Sequence, residues 1–340
     1  MAVHVRASDL FYKIAQSLKT CRNFRFISSA NSIPEMIKSN SEMFSGEIDT
    51  KFRDSKVQNL LTRLTERSLE LDKVFKPRQE TLKVPTYKLL SDEELCEEEK
   101  NIREKALKRL QMPDVKFERK EIDFAIQNDP EIEGHDESKF IFTDISTSKN
   151  EMNRRIVVRE PNGILREATW EERERMNYLY LPKKGQSYRL PQMLTDQDLP
   201  VVFEQLRHAD VLDLVSIQCP DDSPDYLRVH RRTYHDLEER EAYSLLESTR
   251  HYGGMVYYFV TQKRAKALIL RLVREDRLDD AADVVRLHHV LHPDTEHAKE
   301  HGSDDVDSHD IVLEYAQKEG LKEMIDLLKN EGLSKERIEV

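Results

Sequence analysis

His288, His289 and His292 form the most ligand-like cluster in the sequence, with His288 and His292 four residues apart and so on one face of a helix. Two imidazoles hold zinc only with further ligands, and a hydrolytic site adds a general base. Asp283 lies five residues before His288, no glutamate follows a histidine in the HExxH manner, and Pro293 stops the helix. A structural role is expected for these histidines. Asp304, Asp305, Asp307 and Asp310 lack the glycine and closing glutamate of a calcium loop and read as a loop.

Nucleophiles and phosphate cradles fare no better. Cys21, Cys96 and Cys219 are isolated and odd in number, which fits neither a disulfide framework nor a four-ligand zinc site and points to a reducing compartment. Cys96 falls in a glutamate-rich stretch and Cys219 stands beside Pro220, neither with an adjacent base. None of the nine glycines is arranged as GxGxxG or GxxxxGK[ST]. No catalytic, cofactor-binding or metal-ligating residues are therefore expected, and the chain does not read as an enzyme. What remains is local positive charge. Arg154, Arg155 and Arg159 form one cluster, Arg228, Arg231 and Arg232 a second, and Lys263 and Arg264, followed by Lys266, Arg271 and Arg274, a third. Such groups can hold RNA phosphates or pair with neighbouring acids such as Glu238 and Asp276.

The elements that must position these cations alternate between two periods. Val57, Leu60, Leu61 and Leu64 make an apolar stripe for one short helix. Ser91 with Glu94 has capping-box spacing and opens a charged helix that Pro113 stops; its acids Glu97 to Glu99 read as a solvated face. Between Phe140 and Ala168 the helical spacing gives way to FIFTDIS, RRIVV and ILREA, three short strands. Glu160-Pro161-Asn162-Gly163 joins the second and third as a β-hairpin. Thr169 with Glu172 then caps a helix from near Trp170 to about Tyr180, with Trp170 expected in the core. After Pro191 almost everything reads helical, broken at Pro220 and Pro224 and resuming through Tyr243, Met255 to Val260, Leu268 to Val273 and Leu278 to Val290. A single helical hairpin from Ala265 to Asp294 does not repeat. The fold class expected is α+β, predominantly α-helical, with a small antiparallel hairpin or meander unit followed by a C-terminal helical array.

Charged residues make up 35% of the 340 and the net charge is −11, so a surface coated by nucleic acid is excluded and any RNA contact must be local. A mean hydropathy of −0.71 leaves thin cores that partners are expected to complete. No stretch is apolar over the span a membrane helix needs. The first residues are different in kind. Up to Ile27 the chain carries Arg6, Lys13, Lys19, Arg22 and Arg25 against Asp9, with Leu10, Phe11, Ile14 and Leu18 near helical spacing. That is the pattern of a mitochondrial import leader, with Arg25-Phe26-Ile27-Ser28-Ser29 resembling a matrix-protease site. The expected organisation is a transit peptide over 1–27, an extended arm and helices over 28–115, a small α+β unit over 116–190, an α-helical domain over 191–294, and a variable acidic loop with a terminal helix over 295–340.

The stretches FIFTDIS (140–146), RRIVVREPNGILREATWEERERMN (154–177), HRRTYHDLEEREAYSLLESTRHYGGMVYYFV (230–260) and DDAADVVRLHHVLHPD (279–294), with PTYKLL at 85–90, closely resemble the animal mitochondrial ribosomal small-subunit protein twenty-two family in order and spacing. The resemblance covers about Val57 to Asp294 and implies a scaffold in the mitochondrial matrix, set among small-subunit ribosomal proteins and rRNA, with no catalytic or cofactor residues. The competing expectations are a free mitochondrial helical-repeat protein that binds RNA and a matrix enzyme with a site assembled from distant residues.

Overall fold

The computed structural model describes residues 48–75, 87–134, 137–146, 154–293 and 307–336. The leader expected over 1–27, most of the arm after it and the acids Asp304 and Asp305 lie outside them. Two compact units emerge, Glu118–Arg189 and a larger one joining Glu47–Phe117 to Leu190–Val340.

The smaller unit is a four-stranded antiparallel sheet with one helix. Strands β1 (Ala125–Asn128), β2 (Phe140–Thr143), β3 (Ile156–Arg159) and β4 (Ile164–Glu167) lie in the order β1-β4-β3-β2, and α4 (Trp170–Tyr180) follows. The fourth strand, β1, carries no sequence signal: Ala125, Gln127 and Asn128 are exposed, so no apolar alternation marks it. The hairpin turn closes as its residues dictate. Gly163 donates its N–H to the Glu160 carbonyl at 3.1 Å and sits at φ +82°, where a Cβ would come within 2.1 Å of the Asp129 carbonyl oxygen. Ile156, Val158 and Ala168 make a small core, completed by Ile141 and Met176.

Glu172 fastens α4 to the sheet. It completes the capping box with Thr169 and accepts from Arg166, which also holds Glu160, and from Lys139. These charge-assisted bonds, Arg166 first, hold the Glu172 carboxyl well below the usual carboxylate range. Trp170 departs from its expected core position. Its ring is partly exposed, with the Arg119 guanidinium 4.5 Å and that of Arg173 5.6 Å from its centroid, and its N–H donates to the Lys120 carbonyl at 2.7 Å. Position N1 of a helix lying on a narrow sheet leaves the ring partly outside the core, and two guanidiniums lie against it.

The larger unit is helical: α1 (Ser55–Arg67), α2 (Leu71–Phe75), α3 (Asp92–Arg109), α5 (Leu199–Glu204), α6 (His208–Gln218), α7 (Pro224–Glu239), α8 (Tyr252–Thr261), α9 (Lys266–Arg274), α10 (Leu278–Leu291), α11 (Ser308–Lys318) and α12 (Lys322–Glu336). The stripe Val57, Leu60, Leu61 and Leu64 is buried with α8 and α10 in one core that runs on to Ile311, Val312 and Tyr315 of α11. A second core joins Leu194, Leu199, Phe203, Val211, Val215, Tyr226 and Val229. Two expectations are corrected here. Pro224 does not break the chain but opens α7 at its first helical position, where the missing N–H costs nothing, and the Ser223 hydroxyl accepts from the Tyr226 N–H. Beyond the acidic loop stand two helices, α11 and α12, rather than one.

Five helix ends share one closing geometry. Leu206, Glu241, Lys263, Asp276 and Gly320 have positive φ, and the next residue bonds back five positions, as Arg264 N–H does to the Phe259 carbonyl at 2.8 Å. Only one of the five is glycine.

Candidate functional site

The candidate site is the outer face of α7 and the turn that follows α8. Tyr226, Val229, His230, Thr233, Tyr234 and Leu237 point inward, which leaves Arg228, Arg231, Arg232 and His235 on the solvent side at helical spacing. Arg228 is committed to the chain itself: Asp196 lies 2.5 Å and Asp225 3.0 Å from its guanidinium, and it donates to the Leu194 carbonyl. Arg231 and Arg232 are exposed and, among the described residues, have no ion pair or side-chain hydrogen bond.

The third cluster reaches the same face. Arg264 pairs with Glu238 of α7 at 2.7 Å and its guanidinium lies 3.2 Å from the His235 ring. Lys263, the left-handed residue beside it, is exposed and unpaired among the described residues. Of the other cations there, Lys266 pairs with Glu319, Arg271 with Glu275 and Arg274 with Glu323. The free charge on this surface is therefore Arg231, Arg232 and Lys263, set against the exposed acid Glu239. His235 was not singled out from the sequence; reading Pro224 as a helix start places it four residues after Arg231, on the same stripe.

The first cluster belongs to the smaller unit and is dispersed. Arg154 is buried, 2% exposed, and donates to the Asp144 carbonyl at 2.6 Å, so it braces the backbone instead of facing solvent. Arg155 is exposed near Glu167, and Arg159 is partly exposed at the end of β3. Burial raises the Glu167 carboxyl.

The histidine cluster serves packing. His292 donates to the Val260 carbonyl at 2.9 Å, tying the end of α10 to α8, and His288 is buried with its ring 5.7 Å from that of Tyr315. Asp283, the acid considered beside them, accepts instead from Arg63, Arg67 and Arg286 at 2.8–3.1 Å. Among the described residues no group of three or more His, Cys, Asp or Glu could hold a metal ion. Nor is any described helix long and apolar enough to cross a membrane.

A helical array with a small sheet unit, presenting local cations on an acidic chain, is the make-up of a binding and scaffolding protein. Residues 50–293 match the family model of mitochondrial 28S ribosomal protein S22, and the chain belongs to that family. The small ribosomal subunit protein mS22 of Mus musculus is 42% identical over 282 residues, covering 82% of this chain and 78% of the relative. That of Bos taurus is 41% identical over 271 residues, covering 80% and 75%. The chain is accordingly a structural mitochondrial ribosomal component.

Proposed function

We propose that this protein acts in the mitochondrial matrix as a scaffold of the small ribosomal subunit, packing against neighbouring ribosomal proteins and touching rRNA phosphates through Arg231, Arg232 and Lys263. The observation that carries the RNA contact is the pair of exposed arginines without partners among the described residues, on a face where Arg228 and Arg264 are already neutralised. An unpaired guanidinium releases counterions on meeting a phosphate and has no internal ion pair to break first. The basic segment before Ser28 supports delivery to the matrix by import. The matched family favours this reading over a free repeat-type RNA binder or a matrix enzyme.

The test is charge reversal. Arg231→Glu with Arg232→Glu should leave the helical signal and melting temperature unchanged, because both side chains are exposed and, among the described residues, unpaired. Co-sedimentation with the small subunit should weaken and become more sensitive to salt. Unchanged retention of a folded double mutant across a salt series would exclude these arginines as an anchor.

A further inference from the structure

We propose that the outward face of the four-stranded sheet is a stacking platform for unpaired RNA bases, with Phe140 and Phe142 as the rings and Arg159 and Arg155 as the flanking cations. This deepens the ribosomal reading and rests on it for the identity of the nucleic acid. β2 is an edge strand, and its alternation turns Ile141 into the core while Phe140 and Phe142 stay 44% and 45% exposed. The register sets Phe140 opposite Arg159 and Arg159 opposite Leu165, with Phe142 opposite Val157. One face of the sheet thus carries two rings roughly 6.8 Å apart along the strand, so that two bases can each cover one.

The core of this unit explains why the rings are not simply core residues. Ile156, Val158 and Ala168 already fill the side facing α4 with Ile141 and Met176, and the register sets Phe140 and Phe142 on the opposite side with the half-buried Val157 and Leu165. Two exposed phenylalanines on an antiparallel sheet are costly to leave in water, and their π-faces accept any base without regard to sequence. Charge selects among possible occupants. Arg159 has no ion pair or side-chain hydrogen bond among the described residues, and Arg155 is exposed. Two acids adjoin Arg155: Asp144, whose N–H donates to the Arg155 carbonyl at 3.1 Å and whose carboxylate accepts from Ser146, and Glu167, buried and raised by that burial. A phosphate backbone meets those guanidiniums favourably. An apolar peptide would cover the rings but leave the Arg159 guanidinium unanswered.

Stacking needs a π-face, whereas an apolar protein contact needs only bulk, and the experiment turns on that difference. The full-length chain is titrated with a fluorescent single-stranded oligouridine and with an RNA duplex of equal length. Wild type should prefer the single strand. Phe140→Ala with Phe142→Ala should weaken that binding by about tenfold or more, the Leu/Leu variant should weaken it similarly, and the Tyr/Tyr variant should retain it. Ultraviolet irradiation of intact small subunits should cross-link a nucleotide to Phe140 or Phe142. Absence of single-strand binding by wild type, or full affinity in the Ala/Ala or Leu/Leu variant, would overturn the platform. Leu/Leu restoring subunit incorporation that Ala/Ala loses would assign the face to a protein neighbour instead. Failure of the wild-type chain to sediment with the small subunit would defeat the ribosomal reading itself, while the oligouridine titration still decides whether the face stacks bases.

Discussion

Single residues decide how tightly the small unit closes and how the large one responds to acid. Gly163→Ala would place a methyl group 2.1 Å from the Asp129 carbonyl oxygen at a φ of +82°. Backbone strain of about 1–2 kcal/mol adds to that clash, so the melting temperature should fall by several degrees. A thermal scan of the variant checks it, and an unchanged midpoint would contradict the turn geometry. His230 gives the acid response. It is buried, its Nδ1 donates to the Tyr226 carbonyl, and burial together with the nearby His251 pushes its pKa down to about 3. Since an exposed histidine in the unfolded chain titrates near 6.5, the unfolded state binds the extra proton between those values. Stability is then full above about pH 6.5 and declines as the pH falls toward 3. His230→Gln should flatten that decline, measured by melting at a series of pH values. Neither feature of His230 was legible beforehand, because its burial depends on α7 packing against residues distant in sequence; Gly163, placed by the Pro-Asn-Gly turn, was.

At the level of elements, local chemistry was legible wherever it sat within four residues. Both capping boxes, Ser91 with Glu94 and Thr169 with Glu172, form as their spacing implies. The helix that carries the candidate site was missed, because Pro224 was read as an interruption although a serine stood before it and Asp225 after it, which are start signals. Edge strand β1 was missed because an exposed strand has no reason to alternate. Helix ends hold a further consequence. In a chain with nine glycines, Lys263 takes the left-handed position that glycine usually fills, at a cost of about 1 kcal/mol. Lys263→Gly should therefore match or exceed wild type in melting temperature, since its side chain has no described partner to lose. The same variant removes one cation from the proposed phosphate contact, so small-subunit retention should drop at raised salt. Gain in stability with loss of retention separates a functional lysine from a merely tolerated one. A loss of stability would show that the side chain supports the fold.

For the molecule as a whole, the least legible fact is that α1 is an internal part of the C-terminal array, separated from it in sequence by the entire sheet unit. Its apolar stripe could be read, but not which surface it fills. The docking is specified by charge as well as by burial. Asp283, fully buried on α10, accepts from Arg63 and Arg67 of α1 and from Arg286 of its own helix, while Asp280 accepts from Arg67 and from Arg277, which also holds Glu247. A carboxylate in the core is tolerated only because three guanidiniums surround it, and those guanidiniums fix how α1 is seated. Asp283→Asn keeps the shape and removes the charge. A fully buried pair broken in this way costs about 3–5 kcal/mol, but the side chains of Arg63 and Arg67 are 43% and 39% exposed and can turn to water. A loss of about 2 kcal/mol is therefore expected, read as a lower urea midpoint. Hydrogen exchange should localise it, with α1 amides losing protection before those of α8 and α10, because the apolar core remains intact beneath a helix that has lost its ionic seat. Uniform loss of protection across all three helices would mean that Asp283 supports the array as a whole, and unchanged protection of α1 would mean that apolar burial alone holds it in place.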